Sequence, residues 1–169
     1  VDLYDHEAAA PVLDDADFDL ALEQVMLGAF RSTGQKCTAT SRLIVTEKIA
    51  DRFLAALAGR ADTLAVGDPT DDATQMGPVV SGSARKSIRA GIDSAIAQGG
   101  AVLAGGTPYG DGPLAEGYFV APTVVELSKP ADIWSEELFG PVLAVRRAAD
   151  ADEAFELAND NEFGLSAAV

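Results

Sequence analysis

Residues 14–45 read DDADFDLALEQVMLGAFRSTGQKCTATSRLIV, and this stretch holds a helix-like segment, a short connection and a strand-like segment. Apolar residues recur at helical spacing through its first half, and acidic residues stand at the start, where the helix dipole favours negative charge. The pattern predicts a helix from about Ala16 to Ser32. The β-branched run that follows predicts a strand from about Arg42 to Thr46. The only cysteine, Cys37, therefore lies in a helix-to-strand connection.

The rest of the chain continues this alternation of helices and strands. Apolar residues at three- and four-residue steps predict helices over residues 48–64, 83–99 and 150–161. Short runs of strand-forming residues predict strands over residues 101–106, 118–127, 141–148 and 163–169. Loops are predicted over residues 67–82, 107–117 and 128–140. This order of elements favours an α/β fold with a largely parallel sheet flanked by helices.

Charge and composition limit the classes of function. Lys and Arg number 12 against 27 Asp and Glu, and the net charge of −15 repels nucleic-acid phosphates and acidic lipid headgroups. No apolar run approaches the roughly 20 residues that span a bilayer. We therefore expect no nucleic-acid partner, no membrane partner and a cytoplasmic location. A single cysteine and a single histidine, His6, leave no intramolecular disulfide and no usual structural zinc site, so no metal is predicted.

Cys37 is the first candidate for chemistry. A thiolate is a strong nucleophile at neutral pH when a positive neighbour or backbone dipoles favour it, and catalytic cysteines lie in partly exposed turns. Lys36 is a positive neighbour, and Gly34 would let the backbone bend so that the Cys37 N–H points at a developing oxyanion. The residues alone leave the alternative open, because a lone cysteine is commonly a small buried apolar side chain.

The second candidate is SEELFGPV, residues 135–142, where two carboxylates precede an aromatic residue and a Gly-Pro turn. A carboxylate such as Glu137 accepts hydrogen bonds from both hydroxyls of a ribose, and Phe139 would pack on a flat ring. The pattern by itself equally fits a solvated glutamate pair beside a core phenylalanine. No GxGxxG or P-loop sequence occurs, so the chain offers no recognisable phosphate-binding loop.

Together these motifs resemble the aldehyde dehydrogenase superfamily. GQKCT is similar to that family's catalytic cysteine motif, EELFGPV to its cofactor-ribose motif, and LANDNEFGLSAAV to its N-x-x-x-(Y/F)-G-L-(S/A)-A signature. The segments VLDDADFDLAL, MGPVV and GYFVAPTVV match the landmarks between them. The resemblance implies that residues 12–169 form an aldehyde dehydrogenase catalytic domain, incomplete at its C-terminus, and that residues 1–11 are an atypical segment.

The resemblance also implies a role for each motif residue. The Cys37 thiolate would add to an aldehyde, and the adduct would pass hydride to NAD or NADP and become a thioester that water releases as an acid. Glu137 would hold the nicotinamide-side ribose, and Phe139 would pack near the nicotinamide ring. Asn159 and Gly34 would support the site without touching the reactants. The complete enzyme would be a homo-oligomer, and STGQKCTATSRLIVTE is closest to the subgroup that oxidises semialdehydes of dicarboxylic acids, such as α-ketoglutaric semialdehyde.

One departure from the family pattern keeps alternatives open. The family's general-base glutamate, aligned through VLDDAD, falls at Leu3, and Glu7 stands nearby in the wrong register. The second oxyanion donor and the cofactor domain of the family have no counterpart in these residues, so the isolated chain is expected to be inactive or nearly so. The missing base motivates one other hypothesis, transfer of the acyl group to coenzyme A instead of water. The missing base together with the absent cofactor domain motivates another, a non-catalytic module that keeps the fold.

Overall fold

The structure is a computed structural model, and it describes residues 8–160 and 166–169. The described part contains five strands, β1 (Ala8–Val12), β2 (Thr40–Thr46), β3 (Ala101–Ala104), β4 (Thr123–Glu126) and β5 (Val142–Ala148). It also contains five helices, α1 (Phe18–Phe30), α2 (Glu47–Asp62), α3 (Gly82–Ala97), α4 (Gly112–Glu116) and α5 (Ala151–Asn159). Leu3 and Glu7, on which the general-base prediction depends, lie outside the described residues.

The strands form one sheet in the order β1-β2-β5-β4-β3. Neighbouring strands run parallel except β3, which pairs antiparallel with β4 at the edge. The predicted α/β class with a largely parallel sheet is therefore confirmed. Parallel strands need helical crossovers, which cover both faces of the sheet.

Side chains alternate along each strand and supply two separate cores. On β2, Leu43 and Val45 face one core together with Phe53 of α2 and residues of α1. Ile44 faces the other core, which contains Ile92 of α3, Trp134 and residues of α5. The sheet thus lies between a layer formed by α1 and α2 and a layer formed by α3 and α5.

Strand β1 lies in a segment for which the sequence pattern predicts no strand. Its sequence, AAAPV, contains weak strand formers and a proline, which cannot donate to a ladder. All five residues are nevertheless buried, and β1 pairs with β2 through Ala9 to Arg42 and onward to Val12 and Val45. Burial against the sheet therefore decides this strand, and the peripheral position of β1 in the sheet tolerates the proline.

Several predicted bounds differ from the observed ones. Helix α1 ends at Phe30, because a 3-10 turn at Arg31–Gly34 with left-handed backbone follows it. The strand predicted over residues 118–127 is confined to β4, and the region predicted as a turn over 107–117 contains the short helix α4. Of the last predicted strand, residues 163–165 lie outside the described part, and Ala167 makes a parallel bridge to Ala9.

No helix within residues 8–160 and 166–169 combines the length and the apolar character that crossing a bilayer requires. No group of three or more His, Cys, Asp or Glu side chains in the same residues is arranged to hold a metal ion.

Candidate functional site

Cys37 lies in a tight turn between α1 and β2, the connection that the sequence predicted. Ser32, Thr33 and Gly34, shortly before the cysteine, adopt left-handed φ values of 56°, 60° and 66°. The N–H of Ala39 then donates to the carbonyl of Lys36 at 2.9 Å and closes a second turn around Cys37. The cysteine is exposed, and its thiol is therefore not a core side chain. Non-glycine residues in the left-handed region are strained and recur at functional sites.

A distant loop holds this turn from one side. The hydroxyl of the buried Thr33 lies 3.4 Å from the Gly77 carbonyl and 3.5 Å from the Pro78 carbonyl. The side-chain carbonyl of Gln35 accepts a 2.9 Å hydrogen bond from the Val80 N–H. Contacts with residues 77–80 thus offset the backbone strain of the Cys37 turn. MGPVV was expected only as a family landmark, and no local pattern predicted Thr33 and Gln35 as anchors. The signal for Gln35 was its place in GQKCT.

The loop with Glu137 and Phe139 holds the turn from the other side. Glu137 is half-buried, whereas the neighbouring Glu136 is exposed, so the two glutamates of the pair differ in their access to water. Phe139 has a left-handed φ of 47° and is 43% exposed. Gly34, Glu137 and Phe139 line one narrow cleft together with Ala39, Thr40, Ser41, Leu138, Gly140 and Val142. The structure therefore brings together three of the residues that the sequence analysis assigned to a site.

Gly34 is the point of closest approach between the two loops. A Cβ added to Gly34 would lie 2.2 Å from the Gly140 carbonyl oxygen, so the two backbones pack without room for any side chain. The positive φ of Gly34 and this contact both require glycine. Contact with Gly140 fixes the separation between the Cys37 turn and the Glu137 loop.

Asn159 occupies a different part of the surface. It is the last residue of α5, is exposed, and its side-chain amide donates to the Phe155 carbonyl at 2.8 Å. With Asp152, Phe155, Glu156 and Asp160 it lines a shallow depression. Among the described residues, the cleft that contains Gly34 and Glu137 does not include Asn159. The role that the resemblance implies for Asn159 stays a prediction.

Charged groups with shifted pKa values in the described residues lie outside the cleft. Hydrogen bonds to Glu126 and then Asp51 raise the pKa of the Arg147 guanidinium, which joins β5 to β4 and α2. A hydrogen bond to Lys48 lowers the pKa of Asp14. These pairs serve the fold. Burial raises the pKa of Tyr109, which lies in a groove beside α3.

Comparison with known proteins assigns the chain to a family. Residues 7–169 match the sequence profile of the aldehyde dehydrogenase family, and the chain belongs to that family. The resemblance drawn from GQKCT, EELFGPV and LANDNEFGLSAAV is therefore confirmed.

Relatives within the family carry several names. Aminoaldehyde dehydrogenase 1, peroxisomal, from Malus domestica is 44% identical over 161 residues, which cover 94% of this chain and 31% of that protein. Alpha-ketoglutaric semialdehyde dehydrogenase from Bacillus subtilis is 40% identical over 159 residues, with 94% and 33% covered. The chain thus spans about a third of the length of the curated relatives it matches.

Solved structures confirm the fold. Betaine aldehyde dehydrogenase from Staphylococcus aureus in complex with NAD+ superposes with a TM-score of 0.91 at 38% identity, covering 96% of this chain and 32% of that one. HpcC from Thermus thermophilus superposes with a TM-score of 0.92 at 34% identity, again covering 96% and 32%.

Proposed function

We propose that the protein containing this chain oxidises an aldehyde to a carboxylic acid, with Cys37 as the nucleophile and NAD or NADP as the hydride acceptor. The observation that carries the proposal is the exposed thiol of Cys37, held on a strained turn whose Gly34 touches the Glu137 loop. Family membership supports the same assignment.

The cleft residues fit the nicotinamide end of such a cofactor. The half-buried carboxylate of Glu137 would accept hydrogen bonds from the ribose hydroxyls, and the exposed ring of Phe139 would pack against the nicotinamide. The Staphylococcus aureus relative was solved in complex with NAD+, and this supports NAD as the hydride acceptor of the present protein. When bound, the cofactor supplies the chemistry of hydride acceptance.

Cys37 would carry the covalent steps. Its thiolate attacks the carbonyl carbon and forms a carbon–sulfur bond, while the carbonyl electrons move to oxygen. The backbone N–H of Cys37 would donate to that oxyanion. Loss of hydride from the same carbon leaves a thioester on Cys37, and water then releases the acid and the free thiol. Two covalent steps with low barriers thereby replace one difficult step.

The first test compares Cys37→Ala with Thr38→Ala in the complete protein. We expect Cys37→Ala to lower aldehyde-dependent formation of reduced cofactor by at least about 1,000-fold, because the covalent path is lost. Thr38→Ala changes the next residue in the same exposed turn and should stay within about threefold of the wild type. Full turnover by Cys37→Ala contradicts the proposal.

Mass spectrometry separates catalysis from a non-catalytic module. With aldehyde and cofactor supplied together and hydrolysis quenched by acid, the wild-type chain should gain the mass of one acyl group at Cys37. No gain without cofactor is the matched control. Absence of acylation under both conditions would support a module that keeps the fold without the reaction.

The acyl acceptor needs a separate test, because the family's general base falls at Leu3. We propose hydrolysis as the main route. Turnover should then proceed without coenzyme A and yield free acid. Product that accumulates only as an acyl–coenzyme A ester would favour the acyl-transfer alternative.

We propose semialdehydes of dicarboxylic acids as the substrate class. The likeness of STGQKCTATSRLIVTE to that subgroup and the 40% identity to alpha-ketoglutaric semialdehyde dehydrogenase support this choice. Relatives named for aminoaldehydes and betaine aldehyde, 44% and 41% identical, supply the comparison substrates. The value of kcat/KM should be highest for the dicarboxylic semialdehyde. A preference for a cationic aldehyde would refute it.

A cytoplasmic homo-oligomer remains our proposal for the complete enzyme, although some relatives carry peroxisomal or chloroplastic names.

A further inference from the structure

Arg42 is a buried cation that the proposed chemistry does not use. It lies on β2, close after the Cys37 turn, and only 2% of it is exposed. Its neighbours in the sheet are Ala9 on β1 and Ala144 on β5. Burying a guanidinium costs several kcal/mol unless the protein provides compensating contacts. A charge in the middle of a sheet therefore calls for an explanation beyond packing.

One contact of Arg42 reaches the end of α5. Its Nη2 donates to the Ala158 carbonyl at 3.2 Å. Ala158 immediately precedes Asn159, with which the family signature begins. The carboxyl end of a helix carries partial negative charge, so a cation is favourable at this position. Arg42 thereby ties strand β2 to the segment that leads into the third motif.

A second contact of Arg42 reaches the segment before Glu137. Its guanidinium carbon lies 5.4 Å from the centre of the Trp134 ring, and Trp134 is itself only 2% exposed. Cation–π contacts are strongest when both groups are desolvated, as here. The 3-10 turn that ends at Trp134 is fixed on α3, because Asp132 and Gln98 exchange hydrogen bonds of 2.9 and 2.5 Å.

We propose that Arg42 is a positioning residue that holds the three motif segments in one arrangement. It follows the Cys37 turn, touches the Trp134 turn ahead of Glu137, and binds the α5 end ahead of Asn159. Its effect on turnover rests on the proposed function, since the reaction needs the thiol and the cofactor cleft at a fixed separation. Arg42 acts through these segments and touches no reactant.

Arg146 provides a matched control. Its guanidinium carbon also lies 5.4 Å from the Trp134 ring, but it is half-buried on β5. Arg42→Met and Arg146→Met therefore remove the same charge from the same ring, and they differ in the link between β2 and α5. Arg42→Lys keeps the charge and loses the planar fork that serves the carbonyl and the ring together.

The experiment uses the complete protein and three readouts: steady-state kinetics, the rate of Cys37 alkylation by iodoacetamide, and fluorine NMR after fluorotryptophan labelling. Trp134→Phe assigns the NMR signal of Trp134. For Arg42→Met we expect kcat to fall about 10- to 100-fold with KM changed less than about threefold, since misplacement by about 1 Å costs on the order of 100-fold. The alkylation rate should change at least threefold, and the Trp134 signal should shift. Arg42→Lys should lie between Arg42→Met and the wild type, and Arg146→Met should stay near the wild type in kcat and alkylation.

A folded Arg42→Met with wild-type kcat and alkylation rate would overturn the proposal, and so would equal losses in Arg42→Met and Arg146→Met. If Arg42→Met fails to fold, Trp134→Phe decides: a change of threefold or more in alkylation supports the proposal, and no change refutes it. Wild-type protein without aldehyde oxidation would refute the proposed function only. The alkylation and NMR readouts need no turnover and still test whether Arg42 positions the Cys37 turn.

Discussion

Replacement of Gly34 by alanine should separate the two loops of the cleft. Alanine at the observed φ of 66° costs about 1–2 kcal/mol. The new Cβ would lie 2.2 Å from the Gly140 carbonyl oxygen and 2.9 Å from the Ala29 carbonyl oxygen, against an ordinary contact of at least 3.4 Å. Relief of the Gly140 clash needs a shift of about 1 Å, and comparable overpacking costs about 1–3 kcal/mol. Together these two costs should lower the free energy of unfolding by about 2–5 kcal/mol.

The same shift should act on turnover more strongly than on binding. A displacement of about 1 Å between reacting groups costs on the order of 100-fold in rate, so kcat should fall by about that factor in protein that remains folded. Urea denaturation measures the stability, and steady-state kinetics measures kcat in the complete enzyme.

Gly59→Ala is the control for Gly34→Ala. Gly59 lies within helix α2, and a Cβ added there meets no atom within 4 Å, so alanine should raise stability by about 0.5–1 kcal/mol. Equal stability of Gly34→Ala and the wild type, with unchanged kcat, would refute the reasoning that this contact sets the loop separation.

Three further predictions concern stability. Arg147→Gln should lower the free energy of unfolding by about 1–2 kcal/mol in urea titrations, because Glu126 loses its 2.6 Å partner; no change would show that the network is neutral. Thr33→Val should cost about 0.5–1.5 kcal/mol and change the alkylation rate of Cys37, since the hydroxyl contacts to residues 77 and 78 are lost; an unchanged rate would contradict the anchoring role. Hydrogen bonds from the Thr70 N–H and hydroxyl lower the pKa of Asp68 from its ordinary 3.8. The wild type should therefore be more stable than Asp68→Ala by a constant amount above pH 3.8, and this difference should shrink as pH falls through the lower pKa of the folded state. A difference in the free energy of unfolding that grows on acidification would contradict the prediction.

Local sequence predicted the elements whose patterns are strong. The apolar spacing of α1 and the β-branched run of β2 agree with the structure to within a few residues. Strand β1 was not predicted because AAAPV has little strand propensity, and only its burial against β2 makes it a strand. The end of α1 was misplaced because the left-handed turn after it is stabilised by contacts with residues 77–80, which no local pattern reveals.

The features of the candidate site likewise include some that local sequence predicted and some that it did not. The motifs around Cys37 and Glu137 were accessible from sequence, since turn residues and the family motifs mark them, whereas the partial burial of Glu137 came only from the structure. The contact of Gly34 with Gly140 and the burial of Arg42 were not accessible, because both depend on chain segments that are distant in sequence. The sequence signal for Arg42 was an arginine within a β-branched run. The same pattern also fits an arginine on an edge strand that faces water.

The contacts that Thr33, Gln35 and Gly34 make with later segments also decide when the Cys37 turn forms during synthesis. Ribosomes make the chain from its N-terminus, so residues 30–40 emerge before residues 77–80 and well before Gly140. The bonds of Thr33 and Gln35 and the packing of Gly34 all wait for those later segments. Such non-local contacts form late in folding because their loop-closure entropy must be overcome first. The Cys37 turn therefore takes its final shape only after residues 77–80 and Gly140 have been made.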